Sequence, residues 1–269
     1  MYTIAAATTT TTIFLVWLGS LHNPFRFIHL LAKELWSSKK FSVLFLSMLG
    51  ILILNKYELN IEQTFSASMD YTKWAFHIEG QFAKSVQEMF NHPIVTEVLV
   101  FFYIIVFQSV LIASLAVYLL NYNKPLMYAT CIAIMLNYGL AIPFYLFVPI
   151  HEVWTYPAAE TDFLLLNAFP AFEKVYRPLS GINNCFPSLH TSISLTIMLL
   201  SYRSGNKRWM MITTISACII LFSVVYLGIH WLLDMLAGMV LAFLATTLGL
   251  RLSNSISSDQ LRSSVPSQP

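Results

Sequence analysis

The sequence predicts an all-α fold, a polytopic bundle of about seven transmembrane helices, on three observations. Of the 269 residues, 57% are hydrophobic and only 10% charged, where a soluble domain carries about 25% charged residues. Seven apolar stretches, 3–19, 41–57, 94–121, 126–148, 186–203, 209–228 and 231–251, reach or approach the ~20 residues that a spanning helix needs. Basic residues also alternate between the connecting segments, as loops on opposite sides of a bilayer do.

The same composition excludes several classes of function. A formal net charge of +2 with basic residues spread along the chain offers no nucleic-acid surface. The cysteines, Cys131, Cys185 and Cys218, are odd in number and lack C-x-x-C spacing, so neither a disulfide framework nor a zinc site is expected. No metal and no other cofactor is implied.

The first stretch lacks the basic n-region of a secretory signal and reads as a retained span. Its run Thr8 to Thr12 suits a membrane helix, because threonine hydroxyls bond carbonyls one turn back. Segment 20–40 interleaves Phe25, Phe27, Ile28, Leu30, Leu31 and Trp36 with basic residues, the pattern of a helix lying in the cytoplasmic interface. Residues 1–40 thus form an N-terminal unit. Stretch 41–57 is the weakest span: its apolar core runs only from Phe41 to Leu54, and Lys39, Lys40 and Lys56 must snorkel to the headgroups. Segment 58–93 sets Trp74, Phe76, Phe82 and Met89 among charges and reads as a second interfacial helix or part of an outer cap. In stretch 186–203 Pro187 is expected at the first helical position, where its missing N–H costs nothing. Gly228 offers a helix stop inside an apolar run that otherwise continues from Trp209 to Leu250. Residues 41–252 form the membrane-embedded domain. The serine-rich segment 253–269, with Pro266 and Pro269, is expected to be a disordered cytoplasmic tail.

Segments 20–40, 122–125, 203–208 and 251–269 hold ten of the fifteen basic residues and are assigned to the cytoplasm. The long segments 58–93 and 149–185, with Glu58, Glu62, Asp70, Glu79, Glu88, Glu152, Glu160, Asp162 and Glu173, are expected on the extracytoplasmic or lumenal side.

Ionisable groups at membrane-spanning segments are costly to desolvate and mark functional candidates. Four stand out here: His190, His230, Asp234 and the flanking Arg177. The topology puts both histidines at the same, extracytoplasmic depth. The amides of Ser188, Leu189 and His190, at a helix start, form an anion site, to which the Ser188 hydroxyl adds a donor. Four residues separate His230 from Asp234, which places them on one helical face. The carboxylate then accepts a proton from one imidazole nitrogen and leaves the other free as a nucleophile. An inert buried His–Asp pair is the plain alternative for those two residues alone.

Taken together, these residues resemble the type 2 phosphatidic acid phosphatase superfamily, which includes bacterial acid phosphatases and vanadium haloperoxidases. Its Pro-Ser-Gly-His motif is similar to Pro187-Ser188-Leu189-His190, and its Ser-Arg-x5-His-x3-Asp motif to Ser223-Val224-x5-His230-x3-Asp234. The forms around Phe186 and Tyr226 look most like the inositol phosphorylceramide synthase branch. The likeness spans roughly residues 90–251. It implies a six-helix phosphatase-type core and a metal-independent enzyme acting on a membrane lipid. It further implies that His230 attacks phosphorus to give a phosphohistidine, Asp234 orients it, His190 protonates the leaving oxygen, and Ser188 holds the phosphate. Of the family's Lys-x6-Arg-Pro motif, Arg177-Pro178 fits, while Pro170 stands at the lysine position and Lys174 is the candidate substitute. Val224 stands where the family has an arginine.

With those cations missing, a singly charged diester suits the site better than a monoester of about −1.5 to −2 charge, and Val224 is expected to leave room for a second substituent. The expected reaction is therefore head-group transfer to an alcohol, with water as a competing acceptor. Hydrolysis of lipid phosphates or prenyl (pyro)phosphates is the alternative. Of other classes, a His–His–Asp metal enzyme leaves Pro187 and Arg177 without a role. A non-catalytic seven-span protein of the retinal type needs a lysine in residues 231–250, which hold none. The sequence gives no sign of oligomeric state.

Overall fold

The computed structural model describes residues 2–65, 70–175, 177 and 181–263. Thirteen α-helical segments follow in order: α1 (Tyr2–Ser20), α2 (Arg26–Ser37), α3 (Lys39–Phe65), α4 (Thr72–Glu79), α5 (Phe82–Phe90), α6 (Pro93–Phe101), α7 (Phe107–Leu120), α8 (Lys124–Phe147), α9 (Leu165–Ala168), α10 (Phe172–Val175), α11 (Leu189–Tyr202), α12 (Lys207–Tyr226) and α13 (Leu232–Ser263). A π-helical turn, Phe102–Val106, joins α6 to α7. Among the described residues there is no strand, only an isolated bridge between Ile150 and Asn184. The fold is all-α and polytopic, as the sequence predicts.

Every one of the seven apolar stretches becomes helix, but they are not seven equal spans. Among the described residues five helices are long and apolar enough to cross a bilayer: Thr3–Ser20, Pro93–Leu120, Lys124–Phe147, Lys207–Tyr226 and Leu232–Ile256. A sixth counts only if α2 and the first part of α3 are taken as one, and these are bent by 113°. Helix α11 has 14 residues, about 21 Å at 1.5 Å per residue, against a hydrocarbon core of ~30 Å. It is short because Phe186 and Pro187 are loop and Ser188 is the N-cap, so the first helical residue is Leu189 and not Pro187. The Ser188 hydroxyl sets that start by accepting the Thr191 N–H at 3.3 Å. Segment 58–93 contains the short helices α4 and α5, and 20–40 contains α2, in keeping with the helical readings given to both.

A second correction concerns the C-terminal segment. Helix α13 runs on to Ser263, so residues 253–263 are helix and not a disordered tail. No proline or glycine interrupts the chain between Arg251 and Ser263, and a helix already nucleated over five turns propagates at little cost. Residues 264–269 lie outside the described residues.

In the bundle α8 packs against α13 and α3, α11 packs between α12 and α13, and α1 lies along α7. One apolar cluster includes Val16, Phe41, Tyr118, Met127, Ile134 and Trp209. A second, nearer the candidate site, includes Tyr103, Ile150, Phe172, Val224, Tyr226 and Trp231. Contacts across the bundle sort the connecting segments into two groups. The Asn206 amide donates to the Gly19 carbonyl at 2.7 Å and Lys124 to Glu34 at 2.7 Å, which gathers the basic segments at one end. Lys84 pairs with Glu160, and Gln87 holds Asp162, which gathers the acidic segments at the other. Within α1, the Thr12 hydroxyl donates to the Thr8 carbonyl at 2.7 Å, the back-bonding that makes this run compatible with helix.

Candidate active site

The site forms where α12 ends and α13 begins. Tyr226 is the last residue of α12, and Gly228 follows at φ +76°, a left-handed conformation that favours glycine. This is the helix stop that the sequence indicates. The turn brings the Ile229 and His230 N–H groups back onto the Val224 carbonyl, at 3.1 and 3.0 Å. Around it, the Trp154 N–H donates to the Gly228 carbonyl at 3.0 Å and the Val153 N–H to the Ile229 carbonyl at 3.2 Å. The Trp231 indole donates to the His151 carbonyl at 2.9 Å. The Gln87 side chain donates to the Tyr226 and Asp162 carbonyls at 2.9 and 2.7 Å and accepts the Asp162 N–H at 3.0 Å. His230 therefore sits in a loop tied on several sides.

His230 and Asp234 do meet, but not on one helical face: His230 and Trp231 precede Leu232, the first residue of α13. The carboxylate reaches back from the third helical position. Its Oδ2 accepts the Trp231 N–H at 3.0 Å and lies 3.4 Å from His230 Nδ1. Charge-assisted bonds run nearer 2.7–2.9 Å, so a small contraction would tighten the pair. Asp234 is fully buried, and its Oδ1 has no partner among the described residues. With Nδ1 turned to Asp234, His230 Nε2 is the nitrogen left for chemistry.

At the neighbouring helix start, the Ser188 N–H donates to the Asp234 carbonyl at 3.0 Å, which ties the two sequence motifs together directly. Gly238 makes room for this approach, since a Cβ there would lie 2.7 Å from the Ser188 carbonyl. Ser188 itself is fully buried, and its hydroxyl oxygen accepts the Thr191 N–H as the N-cap of α11. Of the three amides read as an anion site, that of Ser188 is thus committed to Asp234, while Leu189 and His190 are the first two helical residues, whose amides have no acceptor within the helix.

The His190 ring lies 4.3 Å from that of Tyr103, nearly parallel, and 4.4 Å from that of Phe107. Tyr103 comes from the π-helical turn, a local rotation often found at functional sites. His190 Nε2 is buried without a hydrogen-bond partner among the described residues. The two histidine rings are 6.1 Å apart, centre to centre. Both line a cavity of about 140 Å³, with Asn55, Tyr138, Glu152 and Asn184 among its other walls. No lysine or arginine among the described residues lines it.

Arg177 is placed otherwise than the sequence suggested. Its guanidinium donates to both oxygens of Glu152, at 2.7 and 3.0 Å, and to Glu173 at 3.0 Å. It lies over Phe172, Phe163 and Trp154 at 5.0, 5.3 and 6.0 Å. Burial works against its charge, but the two carboxylates more than offset this and raise its pKa above the usual arginine value. The cation thus stands behind Glu152, which faces the cavity in its stead. Lys174 is exposed and lines no part of the cavity. Val224 is fully buried in apolar surroundings and does not line the cavity either, so it does not widen the site; its contribution is the carbonyl that receives His230.

Three described residues could hold a metal: Cys185, His230 and Asp234 offer ligand atoms within 4.8 Å of one another, all buried. At metal–ligand distances of about 2.0–2.3 Å a tetrahedral zinc site needs them about 3.5 Å apart.

Sequence reasoning missed Glu152, Tyr103, Gln87 and Glu79. Glu173, four residues before Arg177, was a legible sign that the arginine has a partner. The others act across long separations: Glu79 accepts the Leu232 N–H at 2.7 Å from 153 residues away.

A family model described as the PAP2 superfamily matches residues 73–248, which takes in both histidines, Asp234, Glu79 and the loops between them. No curated protein and no solved structure matches the chain.

Proposed function

The chain belongs to the PAP2 superfamily, and on that footing we propose that it is a metal-independent membrane enzyme that transfers a phospho-head group between lipids through a phosphohistidine at His230. Superfamily membership supports lipid phosphatase or phosphotransferase chemistry in general terms. The observation that carries the finer reading is the cavity between His190 and His230, rings 6.1 Å apart, with Asp234 behind one of them and no cationic side chain in its described walls.

The roles follow from that arrangement. His230 Nε2 attacks phosphorus, and the new P–N bond forms as the P–O bond to the leaving group breaks. Asp234 takes up the imidazolium charge that develops at Nδ1. His190 Nε2, unpartnered on the opposite side, delivers a proton to the departing oxygen. An alcohol, or more slowly water, then enters from the vacated side, loses its proton to His190, and releases His230. The amides at the start of α11, helped by the helix dipole, carry the charge of the phosphoryl oxygens. The positive-inside pattern of the connecting segments supports a site that faces the extracytoplasmic or lumenal side.

Substrate class follows from electrostatics. A phosphate monoester brings about −1.5 to −2 charge into a cavity whose described walls include two histidines and the Glu152 carboxylate but no lysine or arginine. A diester brings a single negative charge, which two amides and a helix terminus can meet. Hydrolysis of lipid phosphates is the second reading, and superfamily membership alone favours it. It requires a cation that the described cavity walls do not supply.

Purified protein presented with phosphatidic acid, a prenyl phosphate and several phosphodiester lipids, with and without an alcohol acceptor and with and without chelator, separates these readings. Diester cleavage stimulated by the alcohol and indifferent to chelator is expected. Faster turnover of phosphatidic acid or prenyl phosphate gives the phosphatase reading instead, and loss of activity with chelator gives a metal role to Cys185, His230 and Asp234. With a substrate bearing a good leaving group, His190→Ala should still form an acid-labile phosphoenzyme and His230→Ala none. A phosphoenzyme that survives in His230→Ala removes His230 as the nucleophile.

A further inference from the structure

We infer that Glu79 is a positioning residue for this reaction: from α4, its carboxylate grips the first amides of α13 and fixes the attitude from which His230 and Asp234 meet phosphorus. The inference rests on the functional reading above and adds to it a residue that no motif contains.

A helix begins with N–H groups that have no partner within it. In most helices a serine, threonine, aspartate or asparagine just before the first turn accepts one of them. Here that position is Trp231, whose side chain is no acceptor and whose indole N–H is committed to the His151 carbonyl at 2.9 Å. The cap is supplied from outside the helix. Glu79 Oε2 accepts the Leu232 N–H at 2.7 Å, and Oε1 accepts the Leu233 N–H. Asp234 Oδ2 accepts the Trp231 N–H at 3.0 Å. Two carboxylates therefore close the N-terminus of α13 between them, one carried by that helix and one brought to it.

Helix α4 is built to hold its carboxylate there. Phe76, one turn before Glu79, packs its ring edge-on to Trp231 at 6.4 Å and against Tyr156 at 5.1 Å. At the other end of α4, the Thr72 hydroxyl accepts the His151 N–H at 2.9 Å, and the Asp70 carboxylate accepts the Thr72 N–H at 2.8 Å. His151 in turn anchors Trp231. The stretch Trp231–Leu233 is thus held by Phe76 and Glu79 of α4 and by His151, which α4 itself anchors through Thr72.

The arrangement carries a cost that simple capping would avoid. Burial pushes the Glu79 carboxyl above its usual pKa; the Leu233 and Leu232 amides pull it back, and the charge of Asp234 pushes it up again. No cation is paired with Glu79 among the described ion pairs. A neutral side chain at position 231 would cap α13 without a second carboxylate beside Asp234. What the carboxylate adds is a fixed bidentate hold on the helix that begins two residues after the nucleophile. It also fills the anion-attracting end of α13, which leaves the start of α11, beside His190, as the place for the substrate's phosphoryl oxygens.

The test compares full-length wild type, Glu79→Gln, Leu232→Pro and Glu88→Gln. Glutamine keeps one acceptor oxygen and loses the charge. Proline at the first helical position is compatible with the helix and deletes one of the two N–H groups that Glu79 holds, while leaving Glu79 itself untouched. Glu88, an exposed residue of α5, is the control. Phosphoenzyme formation by rapid mixing, kcat and KM on the preferred lipid, and thermal unfolding are recorded for each. Expected are a roughly 10- to 100-fold slower phosphoenzyme formation in Glu79→Gln and in Leu232→Pro, KM within about twofold, and wild-type behaviour in Glu88→Gln. A structural role alone would instead lower the unfolding temperature and leave kcat per folded molecule unchanged. If Glu79→Gln fails to fold, Leu232→Pro decides by itself, since its helix start is favoured. Wild-type rates in either folded variant overturn the inference. A wild type that turns over no lipid on the panel overturns the functional reading and this inference with it, whereas an active wild type matched by either folded variant removes the inference alone.

Discussion

At the residue scale, the candidate groups were legible because membrane-embedded ionisable side chains are rare: His190, His230 and Asp234 stood out against an apolar background, and the structure brings the two histidines to one cavity with Asp234 beside His230. What was not legible is how much of the local hydrogen-bonding capacity is already used. The Ser188 N–H is taken by the Asp234 carbonyl, and Arg177 is held by Glu152 and Glu173. The side chains of Arg177 and Glu152 are 11% and 4% exposed, so removing the cation strands a buried carboxylate. Breaking such a pair costs about 3–5 kcal/mol. Arg177→Ala is accordingly expected to lower unfolding stability by that order, with lost activity following lost folded protein. Arg177→Ala with Glu152→Gln should recover much of the stability, because the stranded charge is gone. If Arg177 contacted phosphate directly, the single variant would instead remain folded with a depressed kcat/KM, and the double variant would recover nothing.

At the scale of elements, periodicity and length located every long helix, because a spanning helix must satisfy its backbone internally and so needs an unbroken apolar run. Their ends were less legible, since these depend on partners distant in sequence. The turn at Gly228 is the exception, for it is written in the residue itself. A Cβ at Gly228 would lie 2.6 Å from the Asp162 carbonyl and 2.9 Å from Thr161 Cγ2, at φ +76°. At Gly205 the φ is similar, +68°, but nothing lies within 4 Å. The two alanine variants therefore separate backbone strain from collision. Gly205→Ala should cost about 1 kcal/mol and leave activity intact. Gly228→Ala should cost roughly 2–4 kcal/mol through the added clash with a backbone oxygen, and should cut turnover at least about tenfold by displacing His230. Equal losses in the two variants would show that the close approach to Asp162 does not constrain His230.

At the scale of the whole molecule, the sequence pattern and the structure speak to different halves of one statement. The structure shows which segments share an end: Asn206 with Gly19 and Lys124 with Glu34 at one, Gln87 with Asp162 and Glu79 with Leu232 at the other. The sequence supplies the sign of each end. Arg26, Lys33, Lys39, Lys40, Lys124, Arg203, Lys207 and Arg208 belong to the first set, and positive residues accumulate on the cytoplasmic side. The candidate site, at the acidic end, is then expected to open to the outside or the lumen. Single cysteines test this once the exposed Cys218 is replaced by serine. Lys207 is exposed at the start of α12 and Glu88 on α5, and neither caps a helix or touches the cavity. Asn206 is unsuitable, because it caps α12 and bonds Gly19. In sealed, right-side-out membranes an impermeant thiol reagent should label Glu88→Cys at once and Lys207→Cys only after permeabilisation. The reverse order would invert the molecule and put the candidate site on the cytoplasmic side. Labelling of both before permeabilisation would contradict the two-ended arrangement itself, because residues at opposite ends of helices such as Lys207–Tyr226 would then share one side of the bilayer.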